Sequence, residues 1–162
     1  MRRFLVIALL LLVSSGCNNK KYFNIEAVEV TNIEGDEYPS KAELDLTINS
    51  SLGAFTLKQG QIRFGVEGRR QVVVTLCDKV KFKRGWQVVT MPVKISVVHN
   101  SLTMKLQEAL ERHDARAIEV DGEIKLRRGL FTRKVALPAT TLEELLTEEQ
   151  LEYIWSVMDE NR

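Results

Sequence analysis

The chain is poor in the residues that usually announce chemistry. Its 162 residues include two cysteines, two histidines and three prolines. Only Cys77 lies within the body of the chain, in the β-branched run Gln71 to Cys77. A free cysteine in such a run behaves as a small hydrophobe, so Cys77 is expected to be buried. His99 and His113 do not have the i, i+4 spacing that puts two imidazoles on one metal ion, and no cysteine pair joins them. His99 is read as a loop residue and His113 as the end of a helix, where its cation suits the dipole. There is no Gly-x-Ser-x-Gly elbow and no glycine-rich phosphate loop. No catalytic residue, metal or cofactor is therefore expected. An excess of charge is missing too, since 23 basic residues face 22 acidic ones. Nucleic acid is not an expected partner, because its phosphates call for a basic excess on one face. With 44% apolar and 28% charged residues, the chain has an ordinary globular composition that excludes disorder.

Long apolar runs are absent except at the start. Arg2 and Arg3 precede the apolar stretch Phe4 to Val13, and the small residues Ser14, Ser15 and Gly16 follow. That stretch is shorter than the roughly 20 residues needed to span a bilayer. Its three-part layout is that of a secretory signal, expected over residues 1–16. Ser15-Gly16-Cys17 resembles the end of a bacterial lipobox. The resemblance implies that the Cys17 thiol receives a diacylglycerol and that the N-terminus exposed by cleavage is acylated as well. Ser14 and Gly16 also suit an ordinary signal peptidase cutting at the same bond. Removing 16 of the 162 residues leaves 146, and removing Arg2 and Arg3 leaves 21 basic against 22 acidic residues. Residues 17–22 then read as a lipid anchor and polar tether. Lys20 and Lys21 are read as part of a solvated linker rather than as cations held on acidic head groups, since two charges are a weak electrostatic signal. The expected location is the cell envelope, on the periplasmic face of the outer membrane.

From Phe23 onward the apolar period is two. Ala42, Leu44, Leu46 and Ile48 alternate with charged and polar residues, which makes a strand with one face in a core and one in water. A change of phase near Ala27 predicts a β-bulge. Glu34 to Ser40 is a connection. Phe55 to Val66 forms further strand, with Gly60 marking a bulge or a break. Gly68-Arg69-Arg70 reads as a turn, and Val72-Val73-Val74 as a stretch buried on both faces. Trp86 to Val98 is a long strand in which Pro92 needs an edge or a bulge, because proline cannot donate to a ladder. The period then lengthens to that of a helix over Ser101 to His113, with Asn100 or Ser101 as its cap. Alternation returns at Ile118 to Leu126 and at Leu130 to Leu137. Arg127-Arg128-Gly129 is the loop between them, and Pro138 closes the run.

The last segment carries two capping-box spacings, Thr141-x-x-Glu144 and Thr147-x-x-Gln150. Two short helices meeting near Thr147 are expected. They either pack across an open end of the strands or present a partner-binding face with Trp155 as anchor. The fold class is thus all-β with accessory helices: an antiparallel sandwich of about seven strands, one inserted helix and C-terminal helices. The body is placed at 23–138 and the helical extension at 139–162. Arg127, Arg128, Arg133 and Lys134 share one hairpin. With Arg69-Arg70 and the run Lys79 to Arg84 they make a candidate basic end. Arg127, Arg128, Arg133 and Trp155 are the candidate binding residues. The competing reading is solvated strand edges protected by charge.

The order of elements resembles the late-embryogenesis-abundant type 2 family, the water-stress and hypersensitive-response domain. The resemblance runs from the alternating strand ending at Asn49, through the glycine-containing strand pair at Gly65 and the long strand ending at Val98. It continues through the helix Ser101 to His113 into the paired strands Ile118 to Leu126 and Leu130 to Leu137. It implies a sandwich like those of immunoglobulin or fibronectin type III domains, no catalytic residues, and a stress-protective role as one alternative. The expected partners are the membrane, through the anchor, and another envelope protein or an anionic envelope component.

Overall fold

The computed structural model describes residues 23–34, 41–98 and 100–160. Cys17, the signal and tether segments, the Glu34 to Ser40 connection beyond its first residue, and His99 lie outside them. The fold is all-β with accessory helices. Eight strands follow in order: β1 (Phe23–Glu34), β2 (Lys41–Ser50), β3 (Phe55–Val66), β4 (Arg69–Leu76), β5 (Val80–Phe82), β6 (Gly85–Val97), β7 (Glu119–Arg128) and β8 (Phe131–Thr141). Helix α1 (Ser101–Glu111) is inserted before β7, and α2 (Leu142–Leu145) and α3 (Glu148–Glu160) close the chain. The strand beyond the expected seven is β5, three residues hidden within the basic run Lys79 to Arg84.

The strands form one antiparallel ladder in the order β1-β2-β6-β4-β3-β7-β8, with β5 paired to β3. Alternation decides which face is apolar. Ala42, Leu44, Leu46 and Ile48 of β2 are at most 3% exposed, and they join Val72 and Val74, Met91 and Val93, Ile62 and Phe64, and Val120 in one core. Three short helices cannot cover so broad a face. The buried residues of the strands and helices instead form a single cluster, as in a sandwich-like body with one core.

Local departures from the sequence reading have simple causes. The bulge near Ala27 is present as a register shift between Ile25 and Ala27. At Gly60 the strand is not broken; a shift between Leu57 and Gln59 against β7 absorbs the irregularity. The β3–β4 turn is Glu67-Gly68, both with positive φ, and Arg69 and Arg70 already belong to β4. Val73 is only half-buried, so the Val72 to Val74 run has one core face, not two. Pro92 lies on a central strand opposite Glu43. It is tolerated because β4 stops pairing at Leu76–Val93, and beyond that point the Cys77 N–H donates to the Pro92 carbonyl at 2.8 Å. The missing proline N–H thus falls at the end of the β4 ladder. Cys77 is exposed, not buried. It follows the buried Leu76 at the strand end, where alternation turns its side chain outward. Pro138 does not close the last strand. A register shift between Val120 and Gly122 accommodates it on the edge strand β8, which runs on to Thr141. The strand therefore ends at Thr141 and not at the proline.

The helices crowd one end of the sheet. Asn100 caps α1, its side chain accepting from the N–H groups of Leu102 and Thr103 at 3.0 and 3.1 Å. At the other end, Asp114 N–H donates to the Ala109 carbonyl and His113 N–H to that of Leu110. This is a Schellman closure with His113 in the left-handed position at φ 55. Thr147 and Gln150 form a complete capping box at the start of α3. The Thr141 hydroxyl accepts from Glu144 N–H at 3.3 Å, but the Glu144 carboxylate accepts from Thr140, so the first box is only half made. Arg116 bridges to Glu143 at 2.9 Å, and this hydrogen bond and its charge hold the guanidinium more firmly protonated.

Candidate functional site

The strand register gives the basic hairpin its geometry. Leu126 pairs with Arg133, Arg127 with Thr132, and Arg128 with Phe131, around a two-residue turn of Gly129 and Leu130. The loop is therefore shorter than the sequence reading puts it and starts two residues later, Arg127 and Arg128 belonging to β7. Gly129 has φ 58, a conformation glycine adopts freely at the first turn position. Alternation then sorts the cations. Arg128 and Arg133 continue the core face of the hairpin beyond the core's end, while Arg127 and Lys134 lie on the outer face with Lys125. All four candidate cations are exposed. Lys134 pairs with Glu123 at 3.0 Å, and Arg127 donates to the Gly129 carbonyl at 3.0 Å. Arg128 reaches over the β2–β3 link: a Cβ added at Gly53 would lie 3.1 Å from its Nη2.

The apolar members of this tip escape the sequence reading. Leu130 is 92% exposed and Phe131 84%, the two highest values among the exposed large hydrophobics. Phe131 does alternate with Val135 and Leu137, but the strand has by then run past the core. The flanking pattern Arg127-Arg128-Gly129-Leu130-Phe131-Thr132-Arg133-Lys134 carries the signal, since apolar residues beside a turn glycine have no sheet face to cover them. Trp86 and Val88, both about two-thirds exposed, project from the outer face of β6.

These features share one end of the molecule. Phe23, the first residue of β1, pairs with Ser50, and Ser50 pairs with Gly85 at the start of β6. The short link Ser51 to Ala54 brings that corner to Arg128. β5 enters the sheet here opposite Phe55 to Leu57, and Phe82 stacks on Phe55 with ring centroids 4.8 Å apart. Segments 79–84 and 125–134 hold four and five Lys or Arg respectively, and no Asp or Glu. Among the described residues, Lys134 alone of these nine makes an ion pair.

The remaining predicted residues lie elsewhere. Arg69 and Arg70 are at the opposite end, so they do not extend the basic patch. Arg70 binds Asp121 at 2.6 Å and Arg63 binds the same carboxylate at 3.0 Å. Trp155 is also distant from the hairpin. Its helix buries Ile154 (1% exposed) and Met158 (2%) in the body's core, and its ring stacks on His113 at 4.8 Å. His113 Nε2 lies 3.5 Å from Asp159. The C-terminal helices thus pack on the sheet, and Trp155 is half-covered by its own chain. Residues 142–160 contain seven Asp or Glu and no Lys or Arg. A nearly neutral body is therefore polarised, basic at the β1 end and acidic at the helical end.

A cleft between β3, β7 and β8 has a cavity volume of about 30 Å³, room for no more than a few water molecules. Glu123 is its only titratable lining residue and is already bound to Lys134. No group of His, Cys, Asp and Glu among the described residues is placed to hold a metal ion. No described helix is long and apolar enough to cross a membrane.

No protein-family model matches the chain, and no curated protein matches it. The resemblance to the late-embryogenesis-abundant type 2 family therefore rests on the order of elements. Among solved structures, the chain is similar to a crystal structure of a protein from Archaeoglobus fulgidus. The match has 13% identity and a TM-score of 0.36, and covers 73% of this chain and 95% of that one. So loose a superposition transfers neither detailed fold nor function.

Proposed function

We propose that this chain is a lipid-anchored, non-enzymatic protein of the cell envelope, with a binding or scaffolding role for its β-sandwich body. The observation that carries this reading is the order of segments at the start of the sequence. Two arginines, a short apolar run and small residues lead to Cys17, and a polar tether then leads directly into β1. Acyl chains on Cys17 give stable membrane residence, because each buried CH₂ adds about 0.8 kcal/mol. The periplasmic face of the outer membrane is the location this reading assigns. The exposed end supports a binding role, since it offers cations and apolar side chains rather than a nucleophile beside a base.

The test is the intact mass of the protein extracted from membranes with detergent. The expected mass is that of residues 17–162 plus acyl groups. A bare mass, with the protein in the soluble fraction, would sink the anchor. The placement of α1 between the long β6 and the β7–β8 hairpin favours a second reading, a stress-protective protein of the late-embryogenesis-abundant type 2 kind. A deletion strain that survives drying normally would count against it.

A further inference from the structure

We propose that the β1 end of the sheet is a membrane-docking face. In this arrangement Leu130 and Phe131 enter the interfacial layer of an anionic bilayer, Trp86 lies at its level, and the cations of segments 79–84 and 125–134 rest on lipid phosphates. The inference rests on the anchored reading and adds to it an orientation and a second contact.

The covalent chain sets the first constraint. Six residue steps separate Cys17 from Phe23, a reach of at most about 20 Å when fully extended. β6 has 13 residues and is about 40 Å long at roughly 3.3 Å per residue. An anchor at Cys17 therefore holds the β1 end toward the surface and leaves the helical end about 40 Å further out.

Surface chemistry sets the second. The end within reach of the anchor carries Leu130 at 92% and Phe131 at 84% exposure, on a tight turn that keeps them from folding back. Around them stand nine cations, of which Lys134 alone is paired among the described residues. Apolar and aromatic tips amid Lys and Arg match the bilayer interface, where aromatic rings sit at headgroup depth and long cationic side chains reach phosphate. Each cation near an anionic surface raises partitioning about fivefold. The opposite end, with seven acidic and no basic residues in 142–160, is repelled only when tilting brings it within about 8 Å of the same surface, the Debye length at physiological salt. Attraction at one end, and repulsion of the other whenever it tilts down, favour an upright body.

The two native tryptophans make the test possible, because Trp86 stands at the docking end and Trp155 at the far end. The full mature chain is reconstituted into phosphatidylglycerol vesicles containing brominated phosphatidylcholine, and its acylation is read by intact mass. The expected result is strong quenching in the wild-type chain that disappears in Trp86→Phe, where only Trp155 emits. Raising salt, or changing Leu130→Asp or Arg133→Ser at these exposed positions, should weaken the quenching. An acylated chain whose Trp86 is not quenched would overturn the docking face and leave the anchor standing. An unacylated chain that still binds the vesicles with Trp86 quenched would uphold the docking face and remove the anchor. A chain neither acylated nor bound would overturn both. Trp86 emission unmoved by vesicles but shifted by a soluble anionic polysaccharide would reassign the face to a glycan and overturn docking to lipid.

Discussion

Replacing Ile154 by Ala separates two roles for the C-terminal helix. Ile154 is 1% exposed and lies in the common core, next to Tyr153, which is 53% exposed on the same helix. Truncating a buried isoleucine to alanine costs about 2–5 kcal/mol, from lost transfer energy and the cavity left behind. A helix laid over the end of a sheet can settle inward, so about 2–3 kcal/mol is the figure for this site. With a urea slope of roughly 2 kcal/mol/M, the unfolding midpoint should fall by about 1–1.5 M. Tyr153→Ala should change stability by less than about 0.5 kcal/mol. Adding Met158→Ala to Ile154→Ala should bring the loss to about 4–6 kcal/mol, near the whole stability of a marginal domain. Far-UV circular dichroism in urea gives the midpoints directly. Equal midpoints for Ile154→Ala and Tyr153→Ala would refute the reasoning. The helix would then not be part of the core, and Trp155 would return as an anchor for a partner.

Other perturbations test the sheet and its caps. Gly122→Ala would place a Cβ 2.6 Å from the Gln61 carbonyl oxygen, backbone that cannot move without opening the β3–β7 ladder. A loss of at least about 1–3 kcal/mol is expected, read as a lower melting temperature. Asp121→Asn should cost about 1–3 kcal/mol, because Arg63, only 20% exposed, loses its counter-charge. Arg70→Ala should cost under about 1 kcal/mol, since Arg70 is 58% exposed, and urea midpoints should rank the two in that order. Asn100→Ala should cost about 1 kcal/mol by removing the α1 cap, and Asn100→Asp should restore most of it. Equal midpoints for the two Asn100 variants would show that the cap contributes nothing.

Strand alternation makes most of the body legible in the sequence. A face of Ala42, Leu44, Leu46 and Ile48 has one stable placement, because slipping by one residue would put every apolar side chain in water. Capping residues are equally legible, since Asn100 and the Thr147–Gln150 box act on neighbours within one turn. What escapes are features that depend on where a strand ends. Cys77 is turned outward by alternation just beyond the end of β4, and Phe131 keeps the alternation of the half-buried Val135 and Leu137 where the hairpin extends beyond the core. β5 is hidden because three residues carry too little pattern to stand out from a basic run. Pro92 and Pro138 mislead for the same reason, since the partner's length or bulge decides whether a missing N–H matters.

The sequence alone determined the all-β class, the inserted and terminal helices, and the residues that face the core. These follow from period, caps and turn residues, which are local. It also set the charges of the hairpin and of the last helices, because composition is local too. Tertiary structure decided which of those charges stand together. Pairing β1 with β2 and β2 with β6 brought the start of the body to the corner touched by Arg128, while Arg69 and Arg70 went to the opposite end and Trp155 onto its own core. Strand order is set by contacts between residues far apart in the chain, and so is the end of the molecule on which a given side chain is exposed.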